Sequence, residues 1–271
     1  MVGAARCLAA GLLLALAQPL PARSASADIV ILGEVHDNRA THLAQARRIE
    51  ALRPTAVVFE MLTPQAAERV MAADRADPAA IAEAARWRET RWPPFELYAP
   101  VFLAAREAAI LGMAVTREDA RKAMFLGADA VFGAVFGADG ARFGLDRPLP
   151  PDEQGAREAL KARTHCGALP PVLLRGFVEA QRLRDAALAQ AALAALATHG
   201  PPVVVIAGHG HARTDWGIPR LIAFADSDVT VHSVGYVETP DETSFDETVL
   251  VPATPRGDPC GSPPGRPATT R

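Results

Sequence analysis

Residues 28–38 read DIVILGEVHDN, and the reading of this stretch decides the fold. After Asp28 the run Ile29, Val30, Ile31, Leu32 is continuously apolar rather than alternating. That is the pattern of a parallel strand buried on both faces. Gly33 then offers a sharp turn without a Cβ in the way. Glu34, His36 and Asp37 follow at once. In open α/β sheets, chemistry collects just past the carboxyl ends of the strands. The first strand is therefore expected to open onto a site.

The pattern recurs along the chain. AVVF at 56–59 is ended by Glu60, and VVVIA at 203–207 runs into GHGHARTD at 208–215. Between the first two strands a helix is expected over 40–52, with Pro54 beyond it and His42 on its first turns. Thr63-Pro64 and Asp77-Pro78 each read as an N-cap and a first helical residue, the second helix running to about Glu89. A helix over 96–111, ended by Gly112, then precedes a third strand at 113–116. The order βαβαβ predicts a parallel sheet with right-handed crossovers. The fold class expected is α/β, with a central, mostly parallel sheet flanked by helices. A helical insertion is expected over about 118–200. An edge strand or two should lie near the C-terminus, at 229–236 and 248–251.

Within the insertion, residues 120–143 mix Met124, Phe125, Phe132, Phe136 and Phe143 with Gly127, Gly133, Gly137 and Gly140, and Gly144 follows. This segment reads either as a core-facing helix or as an apolar lid or ligand wall. Helices are expected over 153–162 and 172–198. In the second, Glu179, Arg182 and Asp185 read as a solvated face carrying i,i+3 pairs.

The chain has 271 residues, 49% apolar and 22% charged, which suits one sizeable core. The formal charge is −3 and no basic patch stands out, which argues against nucleic acid as a partner. Residues 1–27 combine Arg6, an apolar run at 7–17 and a closing Ala25-Ser26-Ala27, the anatomy of a cleaved secretory signal. Cys7 opens the apolar run instead of following it, so no lipoprotein signature is evident. The expected organisation is a signal at 1–27, one α/β domain at 28–251 and a proline-rich, largely disordered tail at 252–271. The product would be periplasmic or secreted. The two cysteines left after cleavage, Cys166 and Cys260, read as a disulfide in an exported protein. Two free thiols or shared metal ligation are the alternatives.

Three strand ends thus carry polar chemistry: Glu34 and His36, then Glu60, then His209 and His211. Imidazole and carboxylate together suit zinc, iron, manganese or nickel, with Glu34, His36, Glu60 and His211 as the candidate ligands. Arg213 and Asp215 could support such ligands, or Arg213 could bind a carboxylate or phosphate. Each residue alone could equally be a hydrogen-bonded structural group; their coincidence at neighbouring strand ends favours a joint site. His165, His199 and His232 read as surface or loop residues.

GEVHDN with the following His42, VVFEM at 57–61 and AGHGHARTDWGIP at 207–219 resemble the ChaN family of the haem-binding uptake, Tiki superfamily. HCGALP at 165–170, AQRLRDAALA at 180–189 and DPC at 258–260 are similar to further segments of that family. The resemblance implies an α/β domain, export to the periplasm or outer membrane, and haem or iron binding in uptake or handling. It puts haem against His209, His211 and Arg213, and implies a homodimer and an outer-membrane uptake system as partners. Haem ligation in the family is associated with a tyrosine beside the motif histidine; here that place reads Gly210. Hydrolytic branches of the superfamily imply an alternative, a metal-dependent esterase or peptidase-like hydrolase. It would hold a divalent transition metal and use Glu34, His36 and Glu60 catalytically.

Overall fold

A computed structural model of the chain describes residues 26–240, 244–257 and 260. The expected signal therefore lies almost wholly outside the described residues, as does most of the proline-rich tail.

Among the described residues six strands form one sheet: β1 (Ile29–Glu34), β2 (Ala56–Phe59), β3 (Ala109–Gly112), β4 (Val203–Gly208), β5 (Val231–Val237) and β6 (Glu247–Leu250). Their order is β3-β2-β4-β1-β5-β6, and every neighbouring pair is parallel. The sheet is all-parallel rather than mostly so. Successive side chains of a strand point to opposite faces, and both faces here are apolar. Val30, Leu32, Val57, Phe59, Val204 and Ile206 face α1 (Arg39–Leu52), α2 (Pro64–Ala72), α3 (Pro78–Ala84) and α4 (Phe95–Ala104). Ile31, Val58, Val203, Val205 and Ala207 face α5 (Arg117–Leu126), α6 (Ala128–Phe136), α8 (Pro171–His199) and α10 (Ile218–Ala225). Outside α8 lies α7 (Pro151–Thr164), and the single turn α9 (His209–Ala212) follows β4. Among the described residues no helix is long and apolar enough to cross a membrane.

Capping sets several helix starts as the sequence indicates. The side chains of Asn38, Thr63, Asp77 and Thr116 each accept a backbone N–H of the first turn. Other expectations are corrected. The third strand is 109–112, not 113–116, and α4 ends at Ala104. The apolar run there has no periodicity that separates helix from strand; pairing of Ala109 beside Ala56 decides it. Gly112 is a strand residue rather than a helix end, and glycine is needed there because a Cβ would lie 2.3 Å from the Leu62 carbonyl oxygen. Gly33 likewise stays in β1 rather than turning the chain. A Cβ on it would lie 2.7 Å from that of Ala212, so α9 rests directly on the strand. The helix from Pro78 stops at Ala84, where Arg86 turns left-handed (φ 51°) and Trp87 swings into the core. The Phe-rich segment is two helices meeting at Gly127; Phe132 and Phe143 are core, whereas Phe125 faces solvent.

Candidate functional site

β2, β4 and β1 are neighbours, so the residues after them emerge side by side at one edge of the sheet. Glu34, the last residue of β1, is the hub of one half of the site. Its Oε1 accepts from Tyr98 Oη at 2.8 Å and lies 2.9 Å from His36 Nδ1; its Oε2 accepts from Gln45 Nε2 at 2.9 Å. His42 Nε2 stands 3.5 Å from the same Oε2, at ion-pair range but without hydrogen-bond geometry, and its ring packs on Tyr98. Burial pushes the Glu34 carboxyl up, but His36 and His42 beside it more than offset this and hold it well below the usual carboxylate range.

The other half is a buried chain of alternating charge. His211 places Nε2 3.2 Å from Glu60 Oε1 and Nδ1 2.5 Å from Asp185 Oδ1. Glu60 Oε2 accepts the Gly208 N–H at 2.8 Å. Burial pushes His211 down, but the two carboxylates win and raise it to about 9. Burial raises Glu60, yet the charge of His211 leads the opposing effects that bring it to about 2. His211 is thus an imidazolium between two carboxylates at neutral pH.

His36 joins the halves. Its side chain is 35% exposed, and its ring meets Trp92 edge-on at 4.8 Å. Its Nε2 lies against Gly208: a Cβ there would sit 2.8 Å from it. Burial lowers the His36 pKa, but the hydrogen bond to Glu34 and the charge of Glu60 carry it above the ordinary value. Glu60, His211 and Trp92 line a cleft of about 370 Å³ whose walls add Met113, Val115 and Leu188 and three arginines, Arg91, Arg117 and Arg184.

Not every strand-end residue comes to this cluster. His209 turns to the far side of β1, with Nε2 2.8 Å from the Tyr236 carbonyl oxygen and its ring near Phe245. Arg213 forks onto Asp215 (2.9 and 2.6 Å) and stacks over Trp216. Glu34, His36, Glu60 and His211 come together, but as donors and acceptors to one another. Among the described residues no group of three or more His, Cys, Asp or Glu side chains is placed to hold a metal ion. Cys166 and Cys260 are joined as a disulfide, with Cα atoms 5.2 Å apart.

Sequence reasoning missed four participants. Tyr98 and Gln45 come from helices, and their only signal was a lone polar group on a core-facing position. Asp185 was read as solvated with Glu179 and Arg182, yet it is wholly buried and Arg182 nearly so. Its signal was weak: an acid beside Arg184, with only Ala186–Ala189 after it apolar. Gln181, one turn before it, donates from Nε2 to Asp185 Oδ1 at 3.5 Å and accepts from Lys161 at Oε1.

These features define a doubly wound, all-parallel α/β protein with a buried imidazole–carboxylate site at the carboxyl edge of its central strands. The chain belongs to the ChaN family, described as haem-binding uptake, Tiki superfamily, whose model matches residues 20–222. The solved structure described as cofacial heme binding to ChaN of Campylobacter jejuni is similar to it. The two are 18% identical, with a TM-score of 0.58 over 82% of this chain and 85% of that one. The type III effector HopBA1 is more distant, at 11% identity and a TM-score of 0.41 over 84% of this chain and 89% of that one. No curated protein matches the chain.

Proposed function

We propose that the chain is an exported haem-binding protein acting in haem or iron uptake or handling, with His36 as the iron ligand. Family membership supports the ligand. One observation carries the residue: of the four histidines at this edge, His36 alone combines a ring nitrogen fixed on a carboxylate with partial exposure. Its Nδ1 is held by Glu34, which sets the tautomer and leaves Nε2 as the ligating atom. His211 has both nitrogens committed, His42 is sealed, and His209 lies against Tyr236.

The neighbouring cleft, which His36 meets through Trp92, fits the group. Trp92, Met113, Val115 and Leu188 offer an apolar wall, and Arg91, Arg117 and Arg184 offer cations to its two carboxylates. When bound, haem supplies the iron; the chain supplies the imidazole, the wall and the countercharge. Tyr98 is not a ligand in this reading, because its hydroxyl is buried on Glu34. Export is supported by the signal-like leader and by the paired cysteines. A homodimer and an outer-membrane uptake partner are further parts of the same reading.

The test is hemin titration of protein isolated from the periplasm. A saturable Soret shift is expected, weakened at least about tenfold by His36→Ala, a loss of one coordinate bond, and unchanged by His209→Ala. No saturable shift would sink the haem reading. Binding untouched by His36→Ala would sink the ligand assignment alone. Sedimentation with and without hemin reads the dimer.

A further inference from the structure

We infer that the corner where α5 meets the start of α8 docks on anionic lipid surfaces. Phe125 is 71% exposed, Leu126 66% and Val172 85%, the three most exposed large apolar side chains of the described residues. They are not scattered. All three line one open groove with Met124, Pro148 and Arg175. The corner is also rigid. Gly176 of α8 lies so close under α5 that a Cβ there would come within 2.8 Å of the Met124 carbonyl oxygen. Gly127, at φ 87°, turns the chain immediately after the two apolar residues, with open space around it.

Charge selects the partner. Arg147 and Arg175 line the groove together with Asp146 and with Glu179, which is paired to Arg182, and Arg121 stands one turn before Phe125 on α5; the three arginines 121, 147 and 175 are exposed. Among the described residues Arg121 and Arg175 form no ion pair, and Arg147 reaches only Asp146, at 3.8 Å. An exposed apolar tip inside a cationic rim suits the boundary between headgroups and acyl chains of an anionic bilayer. It suits a protein interface poorly. Three side chains bury a few hundred Å² at most, against about 800 Å² per partner in a stable complex.

The same two helices carry the cleft. Arg117 lies two turns from Phe125 along α5, about 12 Å, and Arg184 lies about 18 Å from Val172 along α8. A molecule docked by this corner would hold the cleft within roughly 20 Å of the lipid surface. This inference does not depend on haem being the ligand.

The test uses the whole exported chain in flotation with vesicles of phosphatidylcholine alone, or with about 30% phosphatidylglycerol. Binding to the anionic vesicles only is expected, weakening as salt rises. Phe125→Ser with Leu126→Ser should reduce it at least about tenfold, through lost apolar burial. Arg121→Glu and Arg175→Glu should each cost about fivefold or more. Unchanged melting confirms that the variants fold, and unchanged hemin titration separates this surface from the cleft. Absence of vesicle binding would overturn the inference, as would binding that survives the double serine variant. A dimer that falls apart in that variant would overturn it too, by showing a second copy on the patch.

Discussion

Asp185 makes no contact with solvent, and its Oδ1 meets His211 Nδ1 and, at 3.5 Å, Gln181 Nε2. Removing one partner from a buried ion pair leaves the other charge uncompensated, at a cost of about 3–5 kcal/mol. Asp185→Ala leaves His211 still paired with Glu60, so it should lower unfolding free energy by less than that, about 1.5–3 kcal/mol in urea titration, the worth of one hydrogen bond to a charged group; no measurable loss would mean that Asp185 does not hold His211 charged. The same chain sets a pH window. His211 is raised from 6.5 to about 9 on folding, so its contribution is complete below 6.5 and disappears as pH rises through about 9. Glu60 is lowered from 4.5 to about 2, so its contribution is complete above 4.5 and disappears as pH falls through about 2. Stability of the ligand-free protein should then be greatest between pH 4.5 and 6.5, and Asp185→Asn should flatten the alkaline limb. Denaturant midpoints across pH 3–10 check both limbs. At this scale the sequence was half legible. Glu34, His36, Glu60 and His211 announce themselves by ending apolar runs. Asp185 does not, because it arrives from the middle of a long helix whose inward face is set only by the packing of α8 on the sheet.

Elements placed by capping and buried strand runs were readable, and those placed by contact were not. Asn38, Thr63 and Asp77 start helices through a bond three or fewer residues away, so local sequence contains the cause. β3 depends on pairing with β2 across the chain, and its residues are equally compatible with the end of α4. Glycine substitutions separate fold from site at this level. Gly112→Ala drives a Cβ to 2.3 Å from the Leu62 carbonyl oxygen, a backbone atom that cannot step aside. It should lower stability by about 1–3 kcal/mol or more, as overpacking does. Gly208→Ala has an ordinary backbone conformation to occupy, with φ −63° and ψ 155°. Its Cβ would meet only His36 Nε2 and Cε1 closely, at 2.8 and 3.0 Å, and a ring end can shift. The fold should hold to within about 1 kcal/mol, while hemin affinity falls if His36 Nε2 is the iron ligand proposed above, because that nitrogen is displaced. Equal effects of the two variants on melting would contradict that division.

At the scale of the whole molecule the architecture was legible because a parallel sheet covered on both faces writes its strands as continuous apolar runs. The least legible part is how the C-terminal segment is held. Composition suggested a loose tail, yet its described beginning is tied down beside the site. Asn38 donates to the Pro252 carbonyl oxygen, and Arg256 pairs with both Asp37 and Glu238. Cys260 is then bonded to Cys166, 94 residues away in sequence and just past the end of α7. Closing a loop of that length would stabilise by up to about 4–5 kcal/mol if only the unfolded chain regained freedom on cutting it. That condition does not hold here. Residues 252–257 are mostly exposed and carry no strand pairing, so with the bond cut they can fray while the domain stays folded. The native state then regains entropy as well, and the net loss for Cys260→Ser should be only about 1–2 kcal/mol. Tryptic cleavage after Arg256 should accelerate far more than global unfolding, because fraying exposes it directly. A loss near the full loop-closure value, with cleavage tracking global unfolding, would instead make the segment an integral part of the cooperative fold.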